Sequence, residues 1–299
     1  MLVGRSIFTS SRILRSQKPR NLLKPTAHLY IYLKIAKAYF CSSVSSKINV
    51  NGVDLSYEQE GSQEQVVLCL PGALGTTQSD FGPQLKGLSN EFTVVAFDPR
   101  GYGKSIPPVR DFPSDFFVRD ALDGSELMRK LGFKKYSLLG WSDGGITAMI
   151  LAASNPRAID KMVIWGSNSF VTNEEMETYE KLRDTDTWHP KMKAPLEAMY
   201  GQQGLKSMWG GWIDAFDRFS KQNDGNICRE YLPKIKCPTL IIHGQKDPLV
   251  PDFHPEYLHK NITDSTLYLM PEGRHNLHLR YANEFNSIVT KFLKEKAEK

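Results

Sequence analysis

Acidic residues are missing from the first 46 positions of this 299-residue chain, which nonetheless hold Arg5, Arg12, Arg15, Lys18, Arg20, Lys24, Lys34 and Lys37. Cysteine is scarce as well. Of the four present, Cys41 lies in that acid-free leader, and Cys69, Cys228 and Cys237 show no C-x-x-C spacing. A disulfide scaffold and a thiolate metal site are thereby excluded, and a reducing compartment is expected. No long apolar run is present either: the stretch from His28 to Phe40 is interrupted by Lys34 and Lys37. That falls short of the roughly 20 apolar residues that cross a bilayer, so no integral membrane segment is expected. Finally, the body lacks a dominant charge. The formal +5 arises in the leader, and the rest carries 30 basic against 33 acidic residues, which argues against nucleic acid as a partner.

An acid-free leader with arginines, serines and interrupted apolar runs has the composition of a mitochondrial transit peptide, whereas a secretory signal needs a longer unbroken apolar core. Residues 1–46 are therefore expected to be a transit peptide, and the protein is expected to be mitochondrial.

What the chain does have is centred on YSLLGWSDGGITAMILAA, from Tyr136 to Ala153. An apolar strand runs into a glycine-framed serine and then into a small-residue apolar helix, the context that a G-x-S-x-G nucleophile elbow requires. Gly140, Trp141, Ser142, Asp143 and Gly144 fill the pattern. Centring it on Asp143 instead would place Trp141 where the first glycine must be, so Ser142 is the candidate nucleophile.

Around the elbow, strands and helices alternate. Asn51-Gly52 signals a hairpin, and Val66 to Leu70 reads as a strand covered on both faces. That strand ends in Pro71, Gly72, Ala73, Leu74 and Gly75, a loop able to aim backbone N–H groups at an oxyanion. The N–H groups of Ala73 and Asp143 are the candidates. Further strands are expected at Phe92–Phe97, Lys161–Trp165, Thr239–His243 and Leu267–Met270, with helices at Asp115–Leu131 and Ala282–Leu293. The turn DPRGYGKS after Phe97 holds Asp98, Arg100 and Ser105, and is read as shaping the crossover, with the Asp and Arg satisfying loop backbone. Between residues 167 and 232 the rhythm becomes helical, and Trp188, Trp209 and Trp212 fall there. The pattern predicts an α/β fold, mostly parallel, with a core at 47–166 and 233–299 and an inserted helical cap at 167–232.

Serine needs a base to take its proton and a carboxylate to hold that base's tautomer. Asp247 follows one later strand and His275 the last, giving the chain order Ser, Asp, His used with this elbow. Asp252, His243, His254 and His278 compete for these places, with His243 read as packing at a strand end.

The stretches DFGPQLK, DPRGYG, DFPSDFF, LLGWSDGGITA, HGQKDPLVP and LMPEGRHNLHLR together resemble the valacyclovir hydrolase (biphenyl hydrolase-like) family, serine hydrolases of the α/β-hydrolase superfamily. The resemblance implies hydrolysis of α-amino-acid esters with a free amine, ester prodrugs among them, and a mitochondrial location. It maps nucleophile, acid and base to Ser142, Asp247 and His275, and the substrate-ammonium carboxylate to Asp143. The expected partner is a small-molecule ester, with no cofactor and no metal, acted on by a monomer. Two other readings stand beside it: a carbon–carbon bond hydrolase of dienoic ring-cleavage products, which an acidic Asp143 fits poorly, and a non-catalytic receptor on the same fold.

Overall fold

The computed structural model describes residues 44–295, so the leader lies almost wholly outside the described residues. The first strand of the sheet opens at Val44, so Val44 to Ser46 belong to it. That strand, β1 (Val44–Val50), pairs along its whole length with β2 (Val53–Glu60). The turn between them has Asn51 at φ 48° and Gly52 at φ 82°, the two positive values that a two-residue hairpin of matching twist requires.

Eight strands form one sheet. After β1 and β2 come β3 (Val66–Leu70), β4 (Thr93–Phe97), β5 (Tyr136–Trp141), β6 (Ile159–Trp165), β7 (Thr239–Gly244) and β8 (Ser265–Met270), in the spatial order β1-β2-β4-β3-β5-β6-β7-β8. β2 meets β4 antiparallel, and every pairing from β4 to β8 is parallel. β3 and β4 are buried at every position because helices cover both faces. The residues of β3 divide by the strand period: Leu68 and Leu70 join one core, Val67 and Cys69 the other. Cys69 is thus the small core residue that its strand position suggested.

The helices are α1 (Thr77–Leu88), α2 (Phe116–Lys130), α3 (Asp143–Ser154), α4 (Asn173–Lys181), α5 (Pro190–Ser220), α6 (Phe253–Asn261), α7 (Leu277–Arg280) and α8 (Ala282–Lys294). α1 and α6 were not anticipated from the sequence. α4 and α5 lie in the inserted segment with one 3₁₀ turn, Thr185–Thr187, between them, and α5 breaks at Gly201, which takes φ 70° and ψ 161°. Leu205, Trp209, Trp212 and Phe216 of α5 pack into the same core as the elbow-helix residues Ile146 and Met149. The expected cap is therefore continuous with the core cluster on one sheet face.

The topology fixes where a site can form. The chain passes from β3 to β4 on one side, then returns to place β5 on the other side of β3. A crevice opens at the carboxyl ends of strands where such a switch occurs. The loop after β3 and the turn after β5 are the two segments at that point. Among the described residues, no helix is long and apolar enough to cross a membrane.

Candidate active site

Ser142 is the single residue between β5 and α3, at φ 54° and ψ −121°. A side chain in that region costs on the order of 1 kcal/mol or more and persists only where its surroundings dictate it. Here the Ser142 N–H donates to the Trp165 carbonyl at 3.0 Å, and its own carbonyl accepts from Gly145 at 2.9 Å. The flanking glycines are required by contact. A Cβ on Gly140 would sit 2.5 Å from the Gly144 carbonyl oxygen, and one on Gly144 would sit 1.9 Å from that of Leu70.

Asp247 follows β7 and His275 follows β8, and the sheet brings both to Ser142. The Ser142 hydroxyl oxygen lies 3.2 Å from His275 Nε2, and His275 Nδ1 lies 2.8 Å from Asp247 Oδ2. The second carboxylate oxygen accepts from the N–H groups of Leu249 at 2.9 Å and Val250 at 3.1 Å. Burial alone would raise the Asp247 pKa, but the His275 bond, its charge and the two N–H donors outweigh it, so the net shift is downward. An ionised Asp247 fixes the imidazole proton on Nδ1 and leaves the Nε2 lone pair facing the serine. Trp141 holds the histidine from behind, with its indole N–H donating to the His275 carbonyl at 2.8 Å and its ring 5.4 Å from the imidazole.

The competing residues are committed elsewhere. His243 is buried with Nε2 3.1 Å from Asp252, and His254 lies 2.9 Å from Glu175. His278, on α7, accepts from the Trp165 indole at 2.9 Å and donates to the Asp80 carbonyl at 2.9 Å. Burial pushes its pKa down to about 3, so it stays neutral. Asp98 accepts from Thr77 and Lys104 backbone N–H groups, Ser105 ties the Asp98 carbonyl to β2, and Arg100 pairs with Asp123. Asp98 satisfies loop backbone as the turn suggested, whereas Arg100 bonds a carboxylate of α2.

The loop after β3 lies against the elbow: a Cβ on Gly72 would meet Ser142 Cβ at 3.3 Å. Among the described residues, no turn or loop carbonyl closes on the N–H of Ala73 or of Asp143. Asp143 opens α3, where exposed N–H groups favour negative charge.

The Asp143 side chain is buried, and its Oδ2 accepts from the Trp212 indole of the cap at 2.8 Å. Burial raises its pKa to about 7, against the opposing effects of Trp212 and Arg110. Arg110 is itself held bidentate by Asp120, at 2.9 and 2.6 Å, and stacks 4.5 Å from the Tyr102 ring. Asp143, Arg110, Asp120, Tyr102 and Thr147 line a cavity of about 10 Å³, room for one water-sized group. Because Arg110 and Asp120 neutralise each other, an ionised Asp143 leaves the cluster one negative charge in excess.

Trp212, Arg110, Asp120 and Tyr102 were not foreseen in these places. The tryptophan cluster of the cap marked Trp212 only as an aromatic, and Tyr102 lay unread inside DPRGYGKS. Nothing local signals that Arg110 and Asp120 meet.

A family model described as alpha/beta hydrolase fold matches residues 65–187 and 181–280. The chain belongs to the α/β-hydrolase fold family. Within it, the chain is 53% identical over 282 residues to the serine hydrolase BPHL of Homo sapiens, covering 94% of this chain and 97% of that protein. To the Mus musculus serine hydrolase BPHL it is 51% identical over 281 residues, covering 93% and 97%. It is a hydrolase of the serine type, which sets aside the non-catalytic reading. Among solved structures, a 2-hydroxy-6-oxo-6-phenylhexa-2,4-dienoate hydrolase from Rhodococcus sp. aligns with TM-score 0.72 at 18% identity, covering 85% of this chain and 99% of that one. That likeness concerns the fold.

Proposed function

We propose that the enzyme hydrolyses esters of α-amino acids that carry a free amine, with Ser142 as nucleophile, His275 as base and Asp247 as the acid that orients it. The Ser142 oxygen attacks the ester carbonyl carbon as its proton passes to His275 Nε2. The N–H groups of Ala73 and Asp143 receive the oxyanion of the tetrahedral intermediate. Collapse breaks the bond to the alkoxy oxygen, which leaves as the alcohol with the proton from His275. Water then repeats the sequence on the acyl-enzyme, frees the amino acid and restores the serine.

The observation that carries the substrate class is Asp143: a buried carboxylate next to the nucleophile, with Oδ2 held by Trp212 and no donor on Oδ1 among the described residues. A substrate ammonium, on the carbon bonded to the ester carbonyl, would balance the charge of this residue next to the nucleophile. An anionic dienoate would instead meet the excess negative charge, since Arg110 is already taken by Asp120.

Turnover of Ser142→Ala tests the mechanism, with a loss of roughly 10³-fold or more in kcat expected. Asp143→Asn tests the substrate class. On free-amine esters kcat/KM should fall roughly 30-fold to nearly 1000-fold, the equivalent of about 2–4 kcal/mol, with little change on N-acylated or simple aliphatic esters. Equal losses on all three would show that Asp143 braces the elbow and does not select the amine.

A further inference from the structure

The loop carrying Ala73 is under strain. Leu74, directly after it, adopts φ 59°, which a branched side chain keeps only when its surroundings impose it. The Leu74 carbonyl accepts from the Tyr200 hydroxyl at 2.8 Å, and the loop is also bonded by Asp80, in the first turn of α1 and buried. Asp80 Oδ2 accepts from the Gly72 N–H at 3.0 Å, one residue before Ala73. Gly75 lies against the same carboxylate so closely that a Cβ there would come within 1.8 Å of Oδ2. Asp80 Oδ1 accepts from the Ser79 hydroxyl at 2.6 Å. Ser79 in turn takes the Thr76 N–H at 2.8 Å and returns its own N–H to the Thr76 hydroxyl at 3.1 Å. Both ends of the loop, Gly72 and Thr76, are therefore tied to the start of α1 through this carboxylate and its neighbour.

The backbone of Asp80 reaches the other half of the site. Its carbonyl accepts from His278 Nε2 at 2.9 Å. The His278 ring lies 4.6 Å from that of Trp141, and Trp141 both packs against the His275 ring, tilted by 47°, and donates to its carbonyl. His278 cannot turn away, because its Nδ1 is fixed by the Trp165 indole.

We propose that Asp80 is a positioning residue that holds the oxyanion loop, through its side chain, in register with the back wall of the His275 imidazole, which its carbonyl supports. The proposal rests on the oxyanion role given to Ala73 above. Asp80 touches neither substrate nor reacting atoms. Its contribution is geometric, and displacing a donor by about 1 Å from the developing charge costs on the order of 100-fold in rate. Burial raises the Asp80 carboxyl to about 7, against the Ser79 and Gly72 hydrogen bonds.

The test compares Asp80→Ala and Asp80→Asn with the unaltered enzyme on one ester, and measures inhibition by an alkyl trifluoromethyl ketone, whose serine adduct carries an oxyanion. Asp80→Ala should lower kcat roughly 10-fold to 100-fold with KM changed less than about 3-fold. Its Ki for the ketone should rise by the same factor as kcat/KM falls. Asparagine keeps one acceptor for the Gly72 N–H and should recover a large part of both. Unchanged kcat in Asp80→Ala would overturn the proposal. So would a loss that follows only the fraction unfolded, measured by circular dichroism, with the Ki for the ketone unmoved. Turnover surviving in Ser142→Ala would instead refute the serine mechanism itself, which keeps the two failures apart.

Discussion

An aspartate directly after a serine nucleophile faces opposed demands. Its N–H is well placed to donate to an oxyanion, while its carboxylate opposes that charge. The protein meets them by burying Asp143 and supplying one donor, so that its pKa moves from the ordinary 3.8 to about 7. The neutral form is thus favoured in the folded state. The stability this contributes is complete below the ordinary value and is lost as pH rises through about 7. Two results should follow. The Tm of Asp143→Asn relative to the unaltered enzyme should be more favourable at pH 8 than at pH 5. On free-amine esters, kcat/KM should fall below about pH 7 as Asp143 takes a proton and loses its hold on the ammonium. On N-acylated esters that limb should be absent or displaced. In the complex the ammonium stabilises the ionised carboxylate, so the corresponding limb in kcat should lie at lower pH than that in kcat/KM. Superimposable pH profiles for the two ester types would refute the assignment.

At the scale of elements, the elbow depends on the cap as well as the sheet. Trp212 of α5 reaches Asp143 across 69 residues of sequence, and its ring stacks 4.7 Å from Trp209 and 4.1 Å from Phe216. Trp212→Phe keeps most of that packing and removes only the N–H. It should raise the Asp143 pKa further and lower kcat/KM on free-amine esters roughly 10-fold, as loss of one hydrogen bond to a charged group implies. N-acylated esters should be affected much less, and equal losses would mean that Trp212 merely supports the cap. This contact also marks where sequence reading stops. Ser142, Asp247 and His275 are legible because each follows a strand of recognisable pattern, and parallel strands deliver their following loops to one edge. Trp212 and the Arg110–Asp120 pair are brought to the site by tertiary packing, which no local period encodes. α1 was missed for a local reason: Gly82, Pro83 and Gly87 depress its helix propensity. Its start is nonetheless written in the Thr76–Ser79 cap, and its buried face in Phe81, Leu85 and Leu88. α6 carries Pro255 in a run of nine residues and is equally weak as a signal.

For the whole molecule, charge divides the chain near residue 46: the leader concentrates the positive charge, and the remainder is slightly acidic. We propose that the leader directs the protein to mitochondria and is then removed. The sheet limits where removal can occur. β1 pairs with β2 from Val44↔Gln59 to Val50↔Val53, so cleavage after Ser46 would strip three rungs from the edge ladder, whereas cleavage before Val44 leaves it whole. Mass spectrometry of the enzyme from mitochondria should therefore find an N-terminus within a few residues upstream of Val44. A recombinant chain beginning at Val44 should match the kcat/KM and Tm of the processed protein, and one beginning at Lys47 should melt at lower temperature. Residues 1–43 fused to a fluorescent protein should carry it to mitochondria. An intact Met1 on organellar enzyme, or a fusion spread through the cytosol, would refute the import proposal. A chain beginning at Lys47 with unchanged Tm would show instead that the first three rungs of β1 add nothing to the stability of the sheet.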